Sequence, residues 1–406
     1  MNIGVDLRAL QTGHKYRGIG EVAKQVTNRL IQLALKSNPQ TSFTFFEYED
    51  DDPKLLLDLP DGLDYSVVKQ GLMKENNPYR TKKDKLSDAI KDLRANQVKG
   101  SSSVDVFLQF DYAFGVPTNT KTFLVKHDLI PKIFWSQYFE SAWVPFKNYA
   151  ARTTLRTLFN NYKYEHVLRQ SLNHAYKIIA VSQSTKNDIE RLFHVSSKKI
   201  SVAHLGVDTQ QSKTQETSHP DSIIRPSKPY LLFVGAGDAR RKVDDLVAAY
   251  NNLKAAGNDI QLVLVGENFS SPDKIPNKVT RYAVMNSSYP EDIITMGYVD
   301  DNLKQEVYRN AVAFVYPTLY EGFGIPVLES MLFSCPVITY KNSSIPEVAG
   351  KYALYAKDWS DIVTQTTTLL SMTSTEKKTF TATAKIHAQK YTWDKTAKLI
   401  YDELVG

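Results

Sequence analysis

The chain has 406 residues, 42% hydrophobic and 23% charged, and its 50 lysines and arginines outnumber 44 aspartates and glutamates for a net charge of +6. That length exceeds what one hydrophobic core usually serves, so two domains are expected, and the composition excludes a disordered or collagenous protein. No apolar run reaches the roughly eighteen residues of a membrane span, no zinc-ligand spacing or nucleic-acid module is present, and the single cysteine, Cys335, excludes an internal disulfide.

Met1 leads directly into a strand over residues 3–7 with no basic or signal-like stretch before it, which predicts a cytoplasmic chain. Gly18-Ile19-Gly20-Glu21-Val22-Ala23 follows, and Val22, Val26, Leu30 and Leu33 mark one face of a helix. The string fits G-x-G-x-x-A formally. Yet Gly18 lies about ten residues beyond the strand, whereas a dinucleotide turn sits on the strand end, which argues against an NAD-dependent oxidoreductase. Residues 43–48 read as a second strand closed by an acidic surface turn, Glu49-Asp50-Asp51-Asp52-Pro53, which is not placed between strands as a D-x-D metal site. Residues 74–103 are polar and charged, with Leu86, Ile90 and Leu93 on one short helical face, and form an excursion from the fold.

A strand over residues 122–125 ends at Lys126-His127-Asp128, so His127 stands just past a strand end, where an α/β sheet opens its ligand crevice. Residues 151–172 are helical in period, with Leu155, Leu158, Phe159 and Tyr162 on one side and Arg152, Arg156, Lys163 and Arg169 around the other. This pattern suits either an anionic lipid surface or a core-facing helix with a wet back. A strand at 178–182, a helix capped by Ser182 and an extended run at 200–206 complete the first half. From 208 to 229 the chain is polar and carries Pro220, Pro226 and Pro229. The expected division is therefore a first domain at 1–210, a linker at 211–229, a second domain at 230–390 and a closing segment at 391–406.

The second domain opens with a strand at 230–235, then Ala236-Gly237-Asp238-Ala239-Arg240-Arg241-Lys242 and a helix bearing Leu246, Val247, Tyr250 and Leu253. Strand, glycine turn at Gly235, three cations and helix start together make an anion site. Cations left without a ligand at an already positive helix end are electrostatically awkward. Further strands follow at 260–266 and before Met296-Gly297-Tyr298-Val299. Residues 311–316 are an apolar run closed by Pro317, and residues 335–340 are another. Between them stands Tyr320-Glu321-Gly322-Phe323-Gly324-Ile325-Pro326-Val327-Leu328-Glu329-Ser330. Gly322 and Gly324 permit φ > 0, and Pro326 suits a first helical turn, which gives a phosphate-sized seat. Glu321 and Glu329 flank it with seven residues between them. Taken singly, Glu321 reads as a helix cap and Glu329 as a solvated first-turn acid. Cys335 in its apolar run reads as a buried, unreactive thiol. Helices at 359–372 and 375–390 precede Tyr391-Thr392-Trp393-Asp394 and a final helix.

The whole string from Glu321 to Glu329, with Asn342-Ser343-Ser344-Ile345-Pro346-Glu347-Val348-Ala349-Gly350 after it, resembles the E-x7-E signature of the retaining, GT-B-fold glycosyltransferases of family 4. That resemblance implies two Rossmann-like domains facing across a cleft, with the final helix crossing back to the first domain. It implies a nucleotide diphosphate sugar as donor, with Glu329 on the ribose hydroxyls, Glu321 on the sugar hydroxyls, and Arg241 with Lys242 on the diphosphate. His127-Asp128 is similar to the motif whose histidine contacts the donor sugar. Gly18 and Gly20 match the position of a loop lying against the donor phosphates, while Tyr298 and Val299 match a strand end bordering the base. Gly235, Gly322, Phe323, Gly324 and Ile325 fall in donor-binding segments.

Family membership further implies retention of anomeric configuration. Because fixed cations stabilise charge building on a departing diphosphate, neither a metal nor another cofactor is expected. The expected acceptor is a glycan, lipid-linked or other surface polymer, faced by the 74–103 excursion, and the basic 151–172 helix is either a contact with the inner face of the cell membrane or a plain core-facing helix. Nucleic acid is not an expected partner. A GT-B sugar-nucleotide epimerase and a non-catalytic partner subunit share this architecture, although the latter would be expected to have lost its acidic pair.

Overall fold

The computed structural model describes residues 1–13, 18–49, 52–70, 98–134, 150–208 and 225–406, with side chains from 150 to 161 left out of the description. Most of the 74–103 excursion, most of the 211–229 linker, Asp50, Asp51, and the Arg152 and Arg156 side chains therefore lie outside the described residues. The chain forms two compact units, one of Met1–Gly206 with Trp393–Gly406 and one of Val207–Thr392.

The N-terminal unit is built on seven parallel strands: β1 (Asn2–Asp6), β2 (Ser42–Glu47), β3 (Tyr65–Lys69), β4 (Val106–Gln109), β5 (Lys121–Lys126), β6 (Lys177–Ala180) and β7 (Ile200–Val202), in the order β3-β2-β1-β4-β5-β6-β7. Ile3, Val5, Phe43, Phe45, Phe107 and Leu108 are all essentially fully buried, as they must be in strands covered on both faces. Helix α1 (Gly18–Ser37) buries Val22, Val26 and Leu30, whereas α2 (Ala150–His174) buries Leu168 and Leu172 against Leu124, Leu129 and Ile178. Tyr162, read as part of the apolar side of α2, is 60% exposed and stacks on His166 instead. Helix α3 (Gln183–Phe193) begins where the Ser182 hydroxyl accepts from the Thr185 amide.

The C-terminal unit repeats the plan with six parallel strands: β8 (Tyr230–Val234), β9 (Gln261–Val265), β10 (Ile293–Gly297), β11 (Ala313–Tyr316), β12 (Val337–Tyr340) and β13 (Leu354–Ala356), ordered β10-β9-β8-β11-β12-β13. Its helices are α4 (Val243–Ala255), α5 (Lys278–Met285), α6 (Asp301–Asn310), α7 (Ile325–Leu332), α8 (Ile345–Ala349), α9 (Trp359–Ser371) and α10 (Ser374–Ala388).

The last helix, α11 (Trp393–Val405), belongs to the N-terminal unit, as the sequence resemblance implies. It buries Trp393, Ala397, Ile400 and Leu404, places Asp394 at 2.8 Å from Arg29 of α1, and donates from Thr396 Oγ1 to the His204 carbonyl at 2.7 Å. Both sheets have the doubly wound 3-2-1-4-5-6 order, so each has a topological switch point, between β1 and β4 and between β8 and β11. At such a point neighbouring connections leave to opposite faces and open a crevice beyond the strand ends.

Candidate active site

Beyond β8 and β11, at the switch point of the C-terminal unit, two loops exchange charged groups. Gly235 closes β8 at φ 150°, and a Cβ there would lie 2.6 Å from Arg241 Nη1, so the absent side chain is the space in which the Arg241 guanidinium lies. Arg241 donates from Nη1 to the Ala236 carbonyl at 3.2 Å and from Nε to Glu321 Oε1 at 3.2 Å, with its guanidinium 5.6 Å from the Tyr316 ring centre. Arg240, itself 5% exposed, donates from Nη1 to Glu321 Oε1 at 2.6 Å and to the Tyr320 carbonyl at 3.3 Å, while its own carbonyl accepts from the Leu319 amide at 2.7 Å.

Tyr316 and Thr318 complete the set, donating to the same Oε1 at 2.7 and 3.1 Å. Burial alone would push the Glu321 carboxyl up. The neighbouring Arg240 and Arg241, with the Tyr316 hydroxyl, overcome that and hold it down at about 2, so it is ionised at neutral pH. All four of these bonds converge on Oε1; none goes to Oε2.

The cation triplet thus divides. Arg240 and Arg241 turn to Glu321, whereas Lys242 takes the left-handed conformation (φ 44°, ψ 43°) ahead of α4 and swings its ammonium to Asp244 at 2.5 Å and Asp245 at 3.1 Å. The awkwardness expected of cations at a helix start is removed from within, because α4 supplies two carboxylates in its first turn. Burial would lower the Lys242 pKa, but its bonds and proximity to those aspartates raise it. Arg240 was not singled out in the sequence, although the Asp244-Asp245 pair was the available sign that Lys242 had another partner.

The Glu321 loop is locked by the segment after β12. Ser343 Oγ accepts from the Glu321 amide at 2.9 Å, and the buried Ser344 hydroxyl lies 2.8 Å from both the Glu321 and the Phe323 carbonyls. Gly324 uses the conformational freedom expected of it, at φ 110° before α7; Gly322 is not among the glycines with positive φ. Phe323 is 4% exposed with its ring edge-on to Tyr391 at 5.9 Å, so its side chain belongs to the core and any ligand contact from it must come through backbone. Ile325 opens α7. Glu329, one turn on, accepts from Lys304 Nζ at 3.0 Å through Oε1 and from the Tyr308 hydroxyl at 3.3 Å through Oε2. A carboxylate has further lone pairs on both oxygens, so these partners leave it able to take more donors.

The other candidate residues stand apart in sequence. Tyr298, after β10, is 69% exposed, and Val299 is buried. His127, just past β5, sets Nε2 at 3.1 Å from the Phe110 carbonyl, and the neighbouring Asp128 accepts from the Ile130 amide. Gly18 starts α1 with open space around its ideal Cβ, and Gly20 is buried. At the N-terminal unit's own switch point the buried Asp6 and Arg8 pair through two bonds of 2.8 and 2.6 Å, a feature not read in the sequence. Asp52 caps a helical turn by accepting from the Lys54 amide. Among the described residues no cluster of three metal-ligating side chains occurs, and no helix is long and apolar enough to cross a membrane.

Residues 105–211 match the family model for Glycosyltransferase Family 4, and residues 214–385 match that for Glycosyl transferases group 1. O-antigen chain mannosyltransferase B of Escherichia coli is 28% identical over 236 residues, 57% of this chain and 60% of that one, so the match spans less than two thirds of the relative. Sucrose-phosphate synthase from Thermosynechococcus elongatus superposes with a TM-score of 0.67 at 16% identity, covering 100% of this chain and 99% of that one. Anabaena HepE in complex with UDP and glucose does so with a TM-score of 0.63 at 15% identity, covering 100% and 99%. At such identities the structural likeness speaks for the fold.

Proposed function

We propose that this chain, which belongs to the glycosyltransferases that these two family models describe and shares the fold of its structural neighbours, is a retaining, metal-independent hexosyltransferase using a nucleotide diphosphate sugar. The observation that carries this reading is the convergence of Arg240 and Arg241 on Glu321 at the switch point of the C-terminal sheet. In the reaction the donor's C1–O bond to the diphosphate breaks and an acceptor hydroxyl oxygen bonds to C1 on the same face. The hydroxyl proton passes to the departing phosphate oxygen. Arg241 and Lys242 stabilise the negative charge growing on that phosphate, and Lys242 exchanges Asp244 and Asp245 for it. Glu321, held ionised through Oε1, offers Oε2 to the sugar hydroxyls. Glu329 takes the ribose, the backbone from Gly322 to Ile325 the phosphates, and Tyr298 and Val299 the base side.

The acceptor in this reading is a growing glycan or lipid-linked polymer, assembled on the cytoplasmic side of the membrane. The E. coli relative's name makes a nucleotide diphosphate mannose, tried with each base in turn, the first donor to try, and an Anabaena HepE structure in complex with UDP-glucose makes that donor the second. The test is thermal shift with each donor, followed by radiolabel transfer to a glycan panel in the presence of EDTA. Donor-dependent stabilisation and EDTA-resistant transfer with retained anomeric configuration are expected. Conversion of the donor sugar without any acceptor would make the protein an epimerase. Transfer abolished by EDTA and restored by a divalent cation would remove the metal-independent mechanism.

A further inference from the structure

We infer that the outward face of α5 is a docking surface for an anionic lipid bilayer. Residues Thr280 and Val284 pack this helix onto the unit, 0% and 3% exposed, and Asn277 caps it by accepting from the Thr280 amide at 2.8 Å. Its opposite side presents Val279 at 60%, Tyr282 at 71% and Met285 at 55% exposure. At about 100° per residue these three share one side of the helix, with Lys278 between Tyr282 and Met285. Single exposed apolar residues are ordinary, but three large ones side by side on one short helix form a continuous apolar surface.

Charge says what covers it. From residue 274 to residue 290 the chain carries Lys274, Lys278 and Arg281 and no aspartate or glutamate; Glu291 and Asp292 follow, and Asp292 is already paired with Lys228 and Lys254. Asp273, the nearest carboxylate before this stretch, is exposed and lies close enough to Lys274 and Arg281 to offset part of their charge. A second copy of the chain meeting this face about a two-fold axis would bring each cation against its equivalents. A soluble polyanion would neutralise the cations and leave Val279 and Met285 in water. A bilayer with anionic head groups satisfies both: the apolar side chains enter the acyl boundary and the cations stay among the phosphates. This surface shares no residue with the Glu321 cluster, and its test reads vesicle binding rather than sugar transfer, so it succeeds or fails separately from the transferase reading.

The full chain is floated with phosphatidylcholine vesicles, with and without phosphatidylglycerol, at low and high salt. Binding only to the phosphatidylglycerol vesicles, weakened by salt, is expected. With each cation near an anionic surface contributing roughly fivefold, Lys278→Glu with Arg281→Glu weakens it by about 25-fold or more. Val279→Ser, Tyr282→Ser and Met285→Ser together weaken it at least about tenfold with an unchanged melting temperature, since all three sites are exposed. Absence of binding by the unaltered chain overturns the inference, as does full binding by the triple serine variant. A dimer in light scattering that the serine variant converts to monomer would assign the face to a second copy.

Discussion

Arg240→Leu removes the closest partner of a buried carboxylate, and its consequence can be worked from the structure. Glu321 would ordinarily titrate near 4.5 and is held at about 2. At about 1.4 kcal/mol per unit, its surroundings favour the ionised form by roughly 3 kcal/mol. Arg240 makes the 2.6 Å contact and also ties the Tyr320 carbonyl, while Arg241, Tyr316 and Thr318 stay in place to hold part of the charge. The expected loss is therefore about 3 kcal/mol, at the lower end for breaking one side of a buried pair. For a unit of this size it lowers the melting temperature by roughly 6–12 °C in calorimetry of the full chain. Adding Glu321→Leu should recover most of the loss, because no unpaired charge then remains, with a coupling of at least about 2 kcal/mol.

The pH dependence follows in sign. A depressed folded pKa contributes stability that is present above the unfolded value near 4.5 and disappears as the pH falls toward 2. The gap between the unaltered protein and Arg240→Leu should therefore close over that interval. A single variant within about 1 kcal/mol of the parent at pH 7, or a double variant equal to the sum of the singles, would refute this account of the cluster.

Arg241→Ala should lower the initial rate of sugar transfer about a hundredfold or more and Lys242→Ala at least about tenfold, with melting temperatures as controls; near-normal turnover in both folded variants contradicts the site. Lys304→Met frees Glu329 from its 3.0 Å partner and should raise the donor KM several-fold with a smaller change in kcat, read from donor titrations. Ser344→Ala removes a buried hydroxyl whose one proton lies within reach of two carbonyls at 2.8 Å and should cost about 1–2 kcal/mol in denaturant titration; a change under about 0.5 kcal/mol would show the loop to be held by other means. Cys335 is buried, and burial pushes its thiol up to about 12, so a maleimide at pH 8 should label it only after denaturation; rapid labelling of the native protein would place it elsewhere.

Much of this protein can be read along the chain. Strands buried on both faces must be apolar throughout, so β1, β2, β8, β9, β11 and β12 announce themselves within a residue or two. Strand β13, three residues long, does not, nor does β4, whose apolar run is cut to three residues by the buried Gln109, nor β3, an edge strand whose residues face water apart from a half-shielded Val68. The acid-glycine string from Glu321 to Glu329 is equally visible, since its elements are adjacent and its chemistry is in the residue types. Partner choice is not. Arg240, Arg241 and Lys242 are three equivalent cations in one-letter code, and which of them meets a carboxylate eighty positions away depends on the backbone torsions of one irregular turn. The left-handed step at Lys242 sends its side chain to α4, leaving the two arginines to Glu321, and two serines after β12 hold that loop in place. Periodicity reports which face of a regular element meets the core. In a turn there is no period to report, so the direction of each side chain is settled only when the tertiary structure sets φ and ψ.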